Sequence, residues 1–288
     1  MSLIDFILNL AGLLLWFNWW SARFDPLAKS PPVTLAGTLK RSEPTRLKRW
    51  HFLMALLGLL CFRGYLYRQL GLEVGWIAEL DLGAITLFFR SGQPGKPELM
   101  LFYSALSFVR TLVLFYVWLL AVVFVNRNVR EPDPLLKLIR LQLGKIAGWP
   151  RAGLCLLPLV LLTLLWMALH PLLTRAGITN PMVSRENLLL QGTLIGLGAY
   201  LSLKFLIPLL LFLHLVASYV YFGSGPFWDF LNITARNILA PLQRLPLRFG
   251  KLDLAPLIGI ILTLLLLQGL PALILAELKR RHVNPWPP

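Results

Sequence analysis

The polar positions of this chain are gathered into short runs between six long apolar stretches. These lie near residues 3–20, 50–68, 99–125, 152–173, 189–222 and 254–277. Each is close to or beyond the length of about 20 apolar residues that crosses a bilayer core. All six read as helices, because an isolated strand in lipid leaves its backbone polar groups unpaired. The third and fifth stretches are longer than a bilayer demands, which predicts tilting, kinking or emergence from the membrane. Pro208 offers the fifth a specific place to kink. Between the second and third, Gly75 to Arg90 is apolar but carries Glu79 and Asp81. It is short for a span and reads as a surface-lying helix or re-entrant segment at the outer interface.

The pattern repeats. Three times a membrane-length segment is followed by a proline-marked basic loop and a second such segment. The loops open alike, with Phe24-Asp25-Pro26-Leu27, Pro132-Asp133-Pro134-Leu135 and Ser224-Gly225-Pro226-Phe227. Such periodicity takes precedence in assigning a fold, and here it predicts three helical hairpins joined by amphipathic loops. The organisation that follows is a first, degenerate hairpin over 1–70, an outer-face linker over 71–98, a second hairpin over 99–174 and a third over 189–278.

Composition agrees with a lipid environment. The hydrophobic fraction is 57%, the mean hydropathy +0.69 and the charged fraction only 14%, against roughly 25% charged in soluble domains. The net charge of +15 would suggest nucleic acid in a soluble protein, but in a membrane protein it reflects basic residues retained in cytoplasmic loops. Most Lys and Arg residues fall after the first, third and fifth spans, while Glu73, Glu79, Asp81 and Glu98 fall between the second and third. Three cytoplasmic loops and two periplasmic termini follow, in a bacterial inner membrane. Lys279, Arg280 and Arg281 run against that orientation. Leu3 to Trp20 reads as a retained span, since Met1 to Ser21 has neither a basic leader region nor an evident cleavage site.

The third loop is the most specific part of the sequence. It runs from Asn232 through Arg236, Pro241, Leu242, Arg244, Pro246, Arg248, Gly250 and Lys251 to Asp253-Leu254-Ala255-Pro256, where the sixth span begins. Its apolar residues can sink into the headgroup boundary while Arg236, Arg244, Arg248 and Lys251 face lipid phosphates or a partner protein. Asp253 followed by Pro256 is a way to start a helix. This string resembles the YggT family of integral membrane proteins, whose hairpin loop reads Pro-Leu-Arg-Arg, Pro, a glycine turn and Asp-Leu-Ser-Pro. The matching positions are Pro241, Leu242, Arg244, Pro246, Gly250, Asp253, Leu254 and Pro256. Gln243 and Ala255 depart from the pattern. The second hairpin keeps part of it, in Trp149-Pro150-Arg151 and Leu157-Pro158, and the first keeps less. The resemblance implies no catalytic activity. It implies links to assembly of membrane complexes, to envelope organisation and to osmotic or ion stress.

Few residues suggest chemistry. Arg110 and Lys204 lie inside spans, where a charge is costly and marks a functional suspect. Both sit close enough to the outer boundary to snorkel, and apart from Glu277 at the last position of the sixth stretch, Asp5 is the sole carboxylate within a span. Among the four histidines, His51 and His214 alone could face one another, and an interhelical hydrogen bond is the expected role rather than haem ligation. Gly192, Gly196, Gly198 and Ala199 form a small-residue stripe suited to close helix packing. Cys61 and Cys155 have no metal-ligand spacing. No nucleophile elbow, phosphate loop or zinc cluster is present, so no catalytic, metal or cofactor site is expected. Tryptophans 16, 19, 20, 50, 149, 228 and 286 read as interface anchors.

The sequence thus predicts an all-α polytopic membrane protein of about six transmembrane helices. The expected function is non-enzymatic: an assembly factor or scaffold contacting anionic phospholipid headgroups and other integral membrane proteins, and no nucleic acid. The alternative is a small transporter or channel component in which Arg110 and Lys204 line an ion path.

Overall fold

The computed structural model describes residues 2–21, 49–74, 77–83, 85–90, 98–129, 134–179, 184–220, 223, 225–242, 248–249 and 252–280. The expectations for the first loop, for Arg244, Pro246, Gly250 and Lys251, and for the Lys279–Arg281 tail beyond Arg280 lie outside the described residues. The elements in chain order are α1 (Ser2–Ser21), α2 (Arg49–Val74), β1 (Ile77–Asp81), β2 (Thr86–Arg90), α3 (Glu98–Val125), α4 (Pro134–Leu143), a 3-10 turn (Gly144–Gly148), α5 (Arg151–Arg175), α6 (Arg185–Leu201), α7 (Leu203–Tyr219), α8 (Pro226–Leu239), β3 (Arg248–Phe249), β4 (Leu252–Asp253) and α9 (Ala255–Arg280).

Six helical spans are long and apolar enough to cross a bilayer: Leu3–Trp20, Arg49–Gln69, Glu98–Val125, Arg151–Arg175, Arg185–Tyr219 and Ala255–Leu278. Their large apolar side chains point outward in numbers no water-soluble domain tolerates. Leu3, Phe6, Leu265 and Leu273 are each more than 60% exposed. An exposed apolar surface of that extent marks a membrane-facing protein.

The chain divides into two compact units. The first holds residues 1–80 and 88–112, and its frame is the α1–α2 pair joined by the first half of α3. Glycine sets the helix spacing: a Cβ on Gly12 would lie 2.8 Å from Phe108 Cε2, and one on Gly64 would lie 2.7 Å from Leu101 Cδ2. At the foot of α1, Trp16 and Trp19 stack at 4.9 Å, and the Arg49 guanidinium lies 4.3 Å from the Trp19 ring centroid.

Within the segment expected to be a surface helix, residues 77–81 and 86–90 are extended, not helical. They form two paired strands, β1 and β2. The reason is legible in the residues: Ile77-Ala-Glu-Leu-Asp81 alternates outward and inward, the period of a half-buried strand rather than of a surface helix. Ala78, Leu80 and Phe89 are buried, and Phe89 stacks on Tyr103 at 5.4 Å. The connecting turn takes Gly83 into the left-handed region at φ +85°, which a residue with a Cβ resists.

The second unit holds residues 81–87 and 113–288. Within it α5 pairs with α6, and α7 pairs with α9. The fifth apolar stretch breaks at Ser202, between α6 and α7, and Pro208 lies inside α7. The interruption therefore falls upstream of the proline that was expected to mark it. Ser202 caps α6: its Oγ donates to the Ala199 carbonyl at 2.6 Å, its N–H reaches the same carbonyl at 3.3 Å, and its own carbonyl accepts from Phe205 N–H at 3.0 Å. Divided there, a stretch of 35 residues that would run about 50 Å as one rod packs as two shorter helices on two different neighbours.

Gly192 and Gly196 do face a helix, but it is α5 of the same chain. A Cβ on either would meet Thr163 Cα or the Leu159 carbonyl at 3.0 Å. Ala199 joins Val117 and Leu162 in a buried cluster, and Gly198 lies against Gly83. The small-residue face is filled by the chain itself.

Candidate functional site

Two polar centres stand out, one in each unit. In the first unit, three membrane-length helices each carry a polar pair four residues apart: Asp5 and Asn9 on α1, Arg63 and Tyr67 on α2, Tyr103 and Ser107 on α3. Residues at i and i+4 share a helix face, so each helix presents two polar groups one turn apart.

The hydrogen bonds sort these six residues into two layers. In one, the Asp5 carboxylate accepts from Tyr67 through Oδ1 and from Tyr103 through Oδ2 at 2.8 Å. In the other, Arg63 Nη1 donates to Asn9 Oδ1 at 2.7 Å, and Nη2 donates to Ser107 Oγ at 2.7 Å. Asn9 Nδ2 reaches the same Ser107 oxygen at 3.3 Å. The guanidinium joins the layers: Nη2 is paired with Asp5, and Nε donates to the Tyr67 hydroxyl at 3.3 Å. Tyr67 and Tyr103 also flank Arg63, with ring centroids 5.4 and 5.9 Å from Cζ.

The Arg63 side chain is 1% exposed and that of Asp5 21%. A lone charge at this depth in a span would cost several kcal/mol. Here the pair is neutral overall, and Nε, Nη1 and Nη2 of Arg63 each meet an oxygen. Gly64 makes this possible, since it lets α3 approach closely enough for Tyr103 and Ser107 to reach across.

The second centre lies where α3 ends and the loop helices begin. Asn126 is fully buried. Its Nδ2 donates to Thr234 Oγ1 at 2.9 Å and to the Val122 carbonyl at 3.0 Å, while its Oδ1 accepts from Asn237 Nδ2 at 2.8 Å. Its backbone carbonyl accepts from Arg140 Nη2 at 3.0 Å. One side chain and its carbonyl therefore fasten α4 and α8, two short amphipathic helices. Both begin at a proline, Pro134 and Pro226, where a missing N–H costs nothing.

Each of these helices buries one face. On α4 that face includes Leu136 and Leu143. On α8 it includes Leu231, Thr234, Ala235 and Leu239, the last two packed with Leu211 of α7. Their outer faces mix charge with apolar bulk: Lys137, Leu138 and Leu141 on α4, and Phe227 and Arg236 on α8, are exposed.

The sequence-expected positions fall as follows. Arg236 is exposed on α8. Pro241 and Leu242 directly follow α8, and Leu242 packs against the Leu211 cluster. Arg248 and Asp253 are Cα partners across β3 and β4. Asp253 Oδ1 accepts from Ala255 N–H at 3.0 Å, the capping role read for it, and Pro256 is buried in the first turn of α9. His214 Nδ1 lies 2.8 Å from Asn232 Oδ1, a helix-to-helix bond between α7 and α8. Arg110 is half-buried and makes no hydrogen bond or ion pair among the described residues. Lys204 lies 5.2 Å from the Phe205 ring centroid. Among the described residues no group of three His, Cys, Asp or Glu is placed to hold a metal.

Arg63, Tyr67, Tyr103 and Asn126 were not singled out from sequence. The signal was present in the four-residue spacing of polar residues inside three apolar spans, with Asp5 already noted. Comparison with family models, with curated proteins and with solved structures finds no match to this chain.

Proposed function

We propose that this chain is a non-enzymatic scaffold or assembly factor of the bacterial inner membrane. In this reading the basic loops are cytoplasmic, the termini are periplasmic and the chain is related to the YggT family through residues 241–256. Its working surface is the pair of loop helices α4 and α8, which engages anionic headgroups and other integral membrane proteins. The observation that supports it most is the Asn126 clamp. A buried and fully satisfied polar network rigidifies and specifies one arrangement, and what Asn126 fixes is the joint position of two amphipathic helices whose exposed charged residues are Lys137 on α4 and Asp229 and Arg236 on α8.

A second reading, an ion or proton pathway, is favoured by the Asp5–Arg63 pair within membrane-length helices, since intramembrane charge pairs recur in such pathways. Reconstitution into liposomes separates the two. The scaffold reading expects no ion or proton flux above protein-free vesicles. A specific flux that disappears in the D5N/R63M variant, or when Arg110 and Lys204 are both replaced by alanine, would favour the pathway instead.

A further inference from the structure

The second hairpin carries a basic site that the third-loop motif does not include. α3 ends at Val125 and α5 begins at Arg151, so the residues between their ends sit where two spans meet the membrane surface. There Arg127 Nη1 donates to the Trp149 carbonyl at 3.1 Å, and Arg151 Nη2 donates to Asn128 Oδ1 at 3.3 Å. These crossed bonds tie the end of one span to the start of the other. They also place two guanidinium groups at one edge, each committing one of its five donors.

Both arginines are exposed, and so are Lys145 and Trp149, the latter at 44%. No acidic residue occurs among the described residues from 126 to 151. Glu131 and Asp133 lie outside the described residues; among the described residues neither guanidinium is ion-paired, and each keeps donors for an outside acceptor. The planar fork of a guanidinium matches the geometry of phosphate oxygens, and an exposed tryptophan at the end of a span belongs at headgroup level.

We infer that Arg127 and Arg151, flanked by Trp149, form a docking site for the phosphate of an anionic phospholipid headgroup. The inference rests on the membrane reading above but not on the scaffold role. It adds a lipid contact on the second hairpin to those proposed for Arg236, Arg244, Arg248 and Lys251 on the third. The site also explains why the two spans are cross-braced here: a braced pair of arginines loses little side-chain freedom when a phosphate arrives.

The test uses the full chain purified in mild detergent and titrated with dioctanoyl-phosphatidylglycerol, dioctanoyl-phosphatidylcholine or inorganic phosphate, with binding read by native mass spectrometry. Phosphatidylglycerol is expected to bind in preference to phosphatidylcholine. At about fivefold for each basic residue near a membrane surface, R127A/R151A should weaken it about 25-fold. R127K/R151K, which keeps the charge but loses the planar fork, should fall between. R175A, at the far end of the same helix, should match the wild type. Gel filtration and thermal melting identify a variant that fails to fold, in which case the lysine variant decides. Equal affinity of wild type and double variant would overturn the site, as would equal binding of the two lipids. Saturation by inorganic phosphate at the same concentration as the lipid would overturn its assignment to lipid. If lipid selectivity stands while no protein partner is ever retained, only the scaffold reading falls.

Discussion

Removing either member of the Asp5–Arg63 pair should destabilise the first unit, and the two losses should be unequal. In D5N the guanidinium stays where its side chain is 1% exposed, holding a charge with no counter-ion and only the Asn9, Ser107 and Tyr67 oxygens around it. In R63M the orphaned carboxylate keeps the Tyr67 and Tyr103 donors and is 21% exposed, so some solvent or headgroup relief is open to it. Breaking a buried ion pair costs about 3–5 kcal/mol. D5N belongs near the upper end and R63M near the lower, at about 5 and about 3 kcal/mol. The double variant removes both charges, and a neutral replacement of a buried pair is often tolerated. It should cost less than the sum by about 2–3 kcal/mol, the upper range of coupling between contacting residues. The assay is reversible unfolding of the full chain in mixed micelles titrated with dodecyl sulfate. Strict additivity, or a cost under about 1 kcal/mol for D5N, would refute the claim that these charges answer one another.

Three further outcomes follow from the same contacts. G192L and G196L should each destabilise the α5–α6 pair by about 1–3 kcal/mol through overpacking, because a Cβ already reaches 3.0 Å from α5 atoms; the same unfolding titration checks this. N126A should leave Thr234 and Asn237 without a buried partner, at a cost of about 1–3 kcal/mol, and hydrogen exchange should quicken in α4 and α8 before it quickens in α9. Charge reversal at Arg236, Arg244 and Arg248 should weaken complementation more than reversal at Arg46, Lys48 and Arg49; equal effects would remove the special standing of the third loop.

Length and hydropathy are strong signals, and the six spans are legible from them alone. So is the Asp253 cap, because capping is a local event between residues two apart. What escaped was decided by tertiary contact. The 75–90 segment was judged on hydropathy, which cannot separate an interfacial helix from a half-buried hairpin, although the alternation of Ile77 to Asp81 does. Arg63 lay within a span and was passed over, whereas Arg110 was noticed. Locally, only Arg63 has a polar residue, Tyr67, one turn on, where Arg110 has Leu114; across helices, Arg63 has Asp5 on a neighbouring helix. The glycine stripe of α6 was read correctly as a packing face, but the neighbour it meets is α5, a choice set by how the chain folds back. Asn126 sits at the end of a span, where an asparagine looks like an ordinary helix terminus until α8 supplies Thr234 and Asn237.

The central claim, that the loop helices present a surface for membrane partners, is tested most directly by cross-linking in intact membranes followed by capture of the full chain in mild detergent. The measurement compares wild type with the Arg236, Arg244 and Arg248 charge-reversal variant. The account predicts one reproducible partner in fixed proportion, retained by the wild type and lost from the variant while R175A keeps it. A chain recovered alone in every case, or a partner retained equally by the charge-reversed protein, would contradict it.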